Sequence, residues 1–193
     1  MLANSRPGMT EEQNIGSTAL PMLAHWNELG AEAAAREVLP CCGSCGWAQG
    51  LAAKRPFAQA RELYAASDAV WAGLTEDDWR EAFDSHPRIG QSHARAATAE
   101  SLAWSAQEQR AAVTQGGSPD EAAKLALAAA NRQYEERFGR IFIVCASGKS
   151  SAEILAILQR RMTNTAAAEM MEAAEQQRQI TQLRLRRWLG VDS

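Results

Sequence analysis

Long apolar runs are missing from this chain of 193 residues: no uninterrupted stretch approaches the roughly 18 apolar residues that a membrane-crossing helix needs. A surplus of basic charge is missing too. Lys and Arg number 20 against 23 Asp and Glu, a net charge of -3, which offers no broad field to phosphate backbones and makes nucleic acid a poor partner. Basic residues do gather in "RQITQLRLRRWL", but acidic "EMMEAAE" precedes them on the same predicted helix. That pattern reads as a solvated face with favourable charge near a helix C-terminus. No basic segment followed by an apolar stretch opens the chain, so no secretory signal is expected and a cytoplasmic location fits.

Cysteine is scarce, and three of the four thiols crowd into "CCGSC" at Cys41, Cys42 and Cys45, with Cys145 alone. This is no spaced disulfide framework. Cys42 and Cys45 have the spacing of a redox or zinc half-site, yet no second Cys pair or close His pair completes a tetrahedral site. Buried structural thiols are the expectation, and no metal is expected. "ASGKS" invites a phosphate-loop reading, but the position that must be glycine, five before Gly148, is Ile143. A turn with Ser150 capping the next helix is expected instead.

Proline (6) and glycine (13) are sparse, while helix-favouring Ala, Glu and Gln dominate the runs between them. The chain is long enough for one core burying roughly 70% of its unfolded-state surface. Residues 1–16 lack periodicity and read as a loose leader; 17–193 read as one all-α domain of about eight or nine helices. Helices are expected from Ser17 to Gly30, from Ala31 to a stop before Pro40, and from Gly46 to Pro56. A fourth buries Leu63, Val70 and Leu74; a fifth starts at Thr75 and runs into "DSHPRIG". Two more follow in "TAESLAWSAQEQRAAV" and "SPDEAAKLALAAANRQYEERF". "IFIVCAS", near 141–147, has no partner strand and is expected to be an extended connector threaded through the helical core. After a helix bearing Ile154, Leu158 and Met162, a final helix runs from Ala166 to about Leu189. On it Met170, Ala174, Gln177, Thr181, Arg184 and Trp188 project within about 40° of one direction, so Arg184 shares a face with residues expected to be buried.

Three histidines narrow the search for chemistry. His25 reads as a helix-face residue and His93 as part of a polar loop. His86 differs, because Pro87 biases it to an extended backbone and ends the helix before it. A cap or surface role and a proton-transfer role both remain open for a rigidly presented imidazole. Ser105, Glu108 and Gln109, at i, i+3 and i+4, reach one side of a helix at the border of its apolar stripe. They form either a solvated face or a hydroxyl, carboxylate and amide suited to a urea-like or imide-like ligand. Cys145, in apolar surroundings that raise a thiol pKa, reads as packing rather than as a nucleophile.

In order and spacing, "WNELG", "CCGSCGWA", "RPF", "HPRIG", "SAQEQ", "RFGRIFIVCASGKS" and "ITQLRL" resemble the 2-oxo-4-hydroxy-4-carboxy-5-ureidoimidazoline (OHCU) decarboxylase family over about residues 19 to 189. The resemblance implies an all-α homodimer without metal or organic cofactor, which releases carbon dioxide from a ureidoimidazoline to give (S)-allantoin in urate degradation. It implies catalytic roles for His86, Glu108 and Arg184. It implies a substrate pocket lined by Pro87, Ser105, Gln109 and the segment Phe142, Ile143, Val144, Cys145 and Ala146, with Leu39 as an apolar wall. Arg140 departs from the apolar residue that relatives often carry there, and the C-terminal "VDS" is no peroxisomal signal. Two competing expectations stand beside it: a helical interaction protein, which requires an exposed Arg184, and a different enzyme on the same scaffold, acting on an imidazoline without carbon dioxide release.

Overall fold

Capping chemistry sets several of the helix starts. The computed structural model describes the backbone of residues 20–88, 98–114 and 121–191, and their side chains except Glu100 and 108–124. Helix α1 spans Pro21–Glu28, α2 Ala31–Cys42, α3 Cys45–Ala52, α4 Ala60–Ala72, α5 Glu76–Asp84, α6 Ala99–Thr114, α7 Glu121–Phe138, α8 Ser151–Arg161 and α9 Ala166–Trp188. The described residues contain no strand. Thr75 and Ser150 cap α5 and α8 as expected, each hydroxyl accepting from the backbone N–H of an acidic residue whose carboxylate reaches back to the cap. The expected leader and the Ser17 start of the first helix lie outside the described residues; α1 begins at Pro21, where the missing N–H costs nothing.

Two expectations need correction. Helix α2 does not stop before Pro40 but runs through it to Cys42. The carbonyl that loses its partner belongs to Arg36, on the exposed side of the helix, while Val38, Pro40, Cys41 and Cys42 are all buried. Burial of that turn outweighs the proline's penalty. The stop is Gly43, at φ 87°, in the left-handed region that glycine enters without strain. The second correction is in α4, whose buried stripe is Leu63, Ser67 and Trp71, with Val70 and Leu74 only partly covered.

Helix α9 is the axis of the main core, packing against α2, α4 and α5, while α3 joins α2 to α4 and α5. Trp26, Trp47, Leu51, Leu63 and Leu185 are fully buried there. The indole N–H groups keep partners inside the core: Trp47 Nε1 donates to Ser67 Oγ at 3.3 Å and Trp71 Nε1 to the Ala174 carbonyl at 3.0 Å. A second cluster of Leu127, Tyr134, Phe142, Val144, Ile154 and Leu158 lies between α7 and α8.

The segment 141–146 has no regular secondary structure and threads between these two clusters. Its side chains alternate, Phe142 and Val144 entering the second cluster, Ile143 and Cys145 the first. Neighbouring side chains replace the missing strand: the Cys145 N–H donates to Gln176 Oε1 (2.9 Å), and Arg161 Nη1 and Lys149 Nζ donate to the carbonyls of Ile143 (2.7 Å) and Cys145 (2.8 Å).

Candidate active site

The C-terminal end of α2 aims its last carbonyls at α9. Every helix ends with four carbonyls that have no partner inside the helix. Here the Leu39 carbonyl accepts from the Gly43 N–H, that of Pro40 from Arg184 Nη1 (3.4 Å), and that of Cys42 from Gln177 Nε2 (3.2 Å). The negative end of the α2 dipole also favours a cation at this point, which helps to explain a fully buried guanidinium. Arg184 donates further to Ser105 Oγ (2.9 Å) and Ser101 Oγ (3.3 Å) on α6, and lies over the Trp104 ring at 6.0 Å. Helices α2, α6 and α9 thus converge on one planar cation.

The turn between α2 and α3 fixes the next piece. A Cβ on Gly43 would stand 2.1 Å from Ser85 Oγ, so only glycine lets this turn close onto the end of α5. Ser44 then caps α3 by accepting from the Trp47 N–H. "CCGSC" is therefore a helix stop and restart: Cys41 and Cys42 are buried in the core and Cys45 is exposed. Burial pushes the Cys42 thiol up to about 12, far from the range of a reactive thiolate.

Directly after Ser85 comes His86, at the α5 terminus as expected, with Pro87 buried beside it. The residue as a whole is half-buried, but its Nε2 is shut off from solvent and has no hydrogen-bond partner. Burial, with help from the nearby Arg184 charge, lowers the imidazole from 6.5 to about 3, and the Gln177 side chain opposes that shift. His86 is held neutral beside a fixed cation.

The structure thus brings together His86, Arg184 and Ser105 of the expected site residues. The side chains of Glu108 and Gln109 lie outside the described residues, as does His93, while His25 is exposed on α1. Phe142, Ile143, Val144 and Cys145 are buried in the connector and Ala146 is half-buried. Leu39 faces a groove between α2 and α3, lined also by Ala35, Ala48 and Ala52. The interaction-protein expectation fails on Arg184, which has no exposed surface.

Sequence reasoning passed over four participants: Ser101, Trp104, Gln177 and Thr181. A signal existed for the last two, since polar Gln177, Thr181 and Arg184 recur at i, i+4 and i+7 on the face expected to be buried, and buried polar residues are the informative exception. Ser101 likewise sits one turn before Ser105 and is equally covered.

The family of OHCU decarboxylases matches residues 27–186, a span that includes all of α2 to α8 and nearly all of α9. The chain belongs to the OHCU decarboxylase family. Among its relatives is the Uric acid degradation bifunctional protein TTL of Arabidopsis thaliana, 34% identical over 145 residues, or 75% of this chain and 44% of that protein. A 2-oxo-4-hydroxy-4-carboxy-5-ureidoimidazoline decarboxylase of Amia calva is 46% identical over 55 residues, 28% of this chain and 31% of its own. The matched region therefore spans less than half of either relative. A solved OHCU decarboxylase, crystallised in the presence of (S)-allantoin, superposes with a TM-score of 0.68 at 32% identity, covering 80% of this chain and 97% of that one. An (S)-allantoin synthase structure, 18% identical, shares the fold with a TM-score of 0.63 over 86% of this chain and 53% of that one. The nine described helices are the OHCU decarboxylase fold.

Proposed function

We propose that this chain decarboxylates 2-oxo-4-hydroxy-4-carboxy-5-ureidoimidazoline to (S)-allantoin and carbon dioxide, as a carboxy-lyase of urate degradation. The observation that carries the reading is the neutral imidazole of His86, its Nε2 withheld from water, next to the buried guanidinium of Arg184. Family membership supplies the substrate class.

The substrate has a carboxylate and a hydroxyl on one ring carbon, next to a carbon doubly bonded to nitrogen. Breaking the bond to the carboxylate sends its electron pair between the two ring carbons, while the imine pair moves to nitrogen. The hydroxyl then loses its proton to become a carbonyl, the neighbouring carbon gains one, and the former imine nitrogen takes up one more from solvent. The imine is the electron sink, so the reading calls for no cofactor and no metal. His86 accepts the hydroxyl proton and returns one to carbon. Burial depresses the imidazole most and the Arg184 charge adds to it; a substrate carboxylate near Arg184 offsets that second contribution, so binding raises the basicity of His86 when a base is needed. Arg184 binds an anionic or carbonyl oxygen through a fork already oriented by Ser101 and Ser105.

Glu108 is read as orienting the substrate and assisting proton control, and Gln109 and Ser105 as reading the ureido and ring edges. Pro87 and the segment Phe142 to Ala146 form the wall, partly through backbone groups, with Leu39 as a further apolar wall residue. Delivery of the proton to one face, away from bulk water, gives one enantiomer. A homodimer acting in the cytoplasm completes the reading, with 17–193 as the catalytic domain and the ureidoimidazoline as its small-molecule partner.

The test supplies substrate made freshly from urate by the two preceding enzymes and follows the circular dichroism of chiral allantoin. A signal appearing no faster than in buffer ends the decarboxylase reading, and chiral product without carbon dioxide release would favour a different imidazoline enzyme. His86→Ala lowers the rate by about 10²- to 10⁴-fold with the helical far-UV spectrum kept.

A further inference from the structure

Gln177 lies at the middle of α9 with no exposed surface, and no step above uses it. Its amide nitrogen is fully engaged: Nε2 donates to the Cys42 carbonyl at 3.2 Å and to Thr181 Oγ1 at 3.3 Å. Thr181 Oγ1 spends its own proton on the Gln177 carbonyl (3.0 Å), so toward the amide it can only accept. Turning the amide over would place Oε1 against two acceptors, and that orientation is excluded. Oε1 is therefore held on the opposite side, buried and without a hydrogen-bond partner.

The other buried, partnerless polar atom at this place is Nε2 of His86, and the Gln177 side chain reaches that imidazole. A fixed acceptor meets a ring nitrogen that donates in only one of the two neutral tautomers. Leaving both atoms unpaired costs each its desolvation, whereas a small closing movement pairs them.

We propose that Gln177 is a positioning residue for His86: its Oε1 accepts the Nε2–H of the imidazole, fixes that tautomer, and leaves Nδ1 as the nitrogen that exchanges the substrate proton. The assignment of that proton to the reaction rests on the decarboxylase reading; the tautomer does not. Arg184 pushes the ring toward neutrality and Gln177 determines which neutral form it adopts. The Cys42 carbonyl and Thr181 hydroxyl act one step further out, by preventing rotation of the amide.

With three histidines in the chain, ring-nitrogen NMR reads the pair directly, and His86→Ala assigns the resonance. At neutral pH and without substrate, wild-type His86 shows a protonated Nε2 and an unprotonated Nδ1; the reverse pattern overturns the proposal even if no variant folds. Gln177→Leu keeps the volume but removes the acceptor, so His86 becomes a tautomer mixture and kcat falls by ~10- to 100-fold with KM nearly unchanged. An unchanged His86 spectrum in folded Gln177→Leu refutes the proposal. Because the spectrum needs no turnover, a protein with the wrong substrate assignment still answers the question.

Discussion

The two halves of α9 bury polar groups for opposite ends. Near its start, Glu169 has no exposed surface and every need met: Arg161 donates to it through Nε and Nη2, Asn164 at 2.8 Å, and the Tyr134 hydroxyl as well. Arg161 also holds the Ile143 carbonyl and lies over the Phe142 ring at 4.6 Å, which fixes the connector. From its middle to its end, Gln177, Thr181 and Arg184 are as deeply buried, yet Gln177 Oε1 and His86 Nε2 are left without hydrogen bonds. One half has every polar group paired; the other carries unmet hydrogen-bonding capacity that a small closure between Gln177 and His86 meets.

The sharpest way to break the comparison is to damage each half in turn. Arg161→Met strands Glu169 in the core and lowers stability by about 3–5 kcal/mol, read as a lower urea midpoint. Adding Glu169→Leu recovers much of that loss, because the charge left behind is what costs most. Arg184→Met leaves the midpoint much closer to wild type but removes about 100-fold or more of kcat/KM. If both single variants lose stability alike, the division of α9 into a structural and a chemical half is wrong.

Acid reaches the chemical half next. The unfolded imidazole protonates near 6.5 and the folded His86 near 3, so between those values the unfolded chain holds the extra proton. His86 therefore contributes no penalty above pH 6.5, and stability falls as the pH drops from there toward 3, by the order of a few kcal/mol. His86→Asn flattens that part of the stability profile relative to wild type. Arg184→Met raises the His86 pKa seen by NMR, whereas Arg161→Met leaves it in place.

How far the sequence announced this contrast depends on the kind of signal. Helix starts with a hydroxyl cap and an acidic partner, at Thr75 and Ser150, were legible because the motif is local and reciprocal. The inward face of α9 was legible because a 3.6-residue period places Gln177, Thr181 and Arg184 together whatever surrounds them. The stop at Pro40 was misread, because proline's penalty is local while the burial that outweighs it comes from α3 and α9. The Arg161–Glu169 pair was missed altogether: eight residues apart, its members meet only once the turn between the end of α8 and the start of α9 has formed. His86 was visible as a presented imidazole, but its neutrality comes first from burial and then from Arg184, almost a hundred positions later in the chain, and no local pattern carries either.

The "CCGSC" turn gives a smaller test of the same distinction, between residues chosen for backbone geometry and residues chosen for chemistry. Gly43→Ala forces a Cβ into the left-handed region and onto Ser85, so it costs at least about 1 kcal/mol and displaces the residue before His86. Activity should fall with stability here, unlike in Arg184→Met. The thiols of the same motif should matter least. Cys45 is exposed while Cys41, Cys42 and Cys145 are buried, so a thiol reagent labels one cysteine in the native protein and four after denaturation. Cys42→Ser is the more searching variant, because burial already holds that thiol protonated, up at about 12, and a reaction that never uses a thiolate has nothing to lose. Its kcat should stay within about twofold of wild type while its urea midpoint drops modestly, as expected for a packing thiol. A large loss of kcat with an unchanged midpoint would move Cys42 from the structural side of the motif to the chemical one.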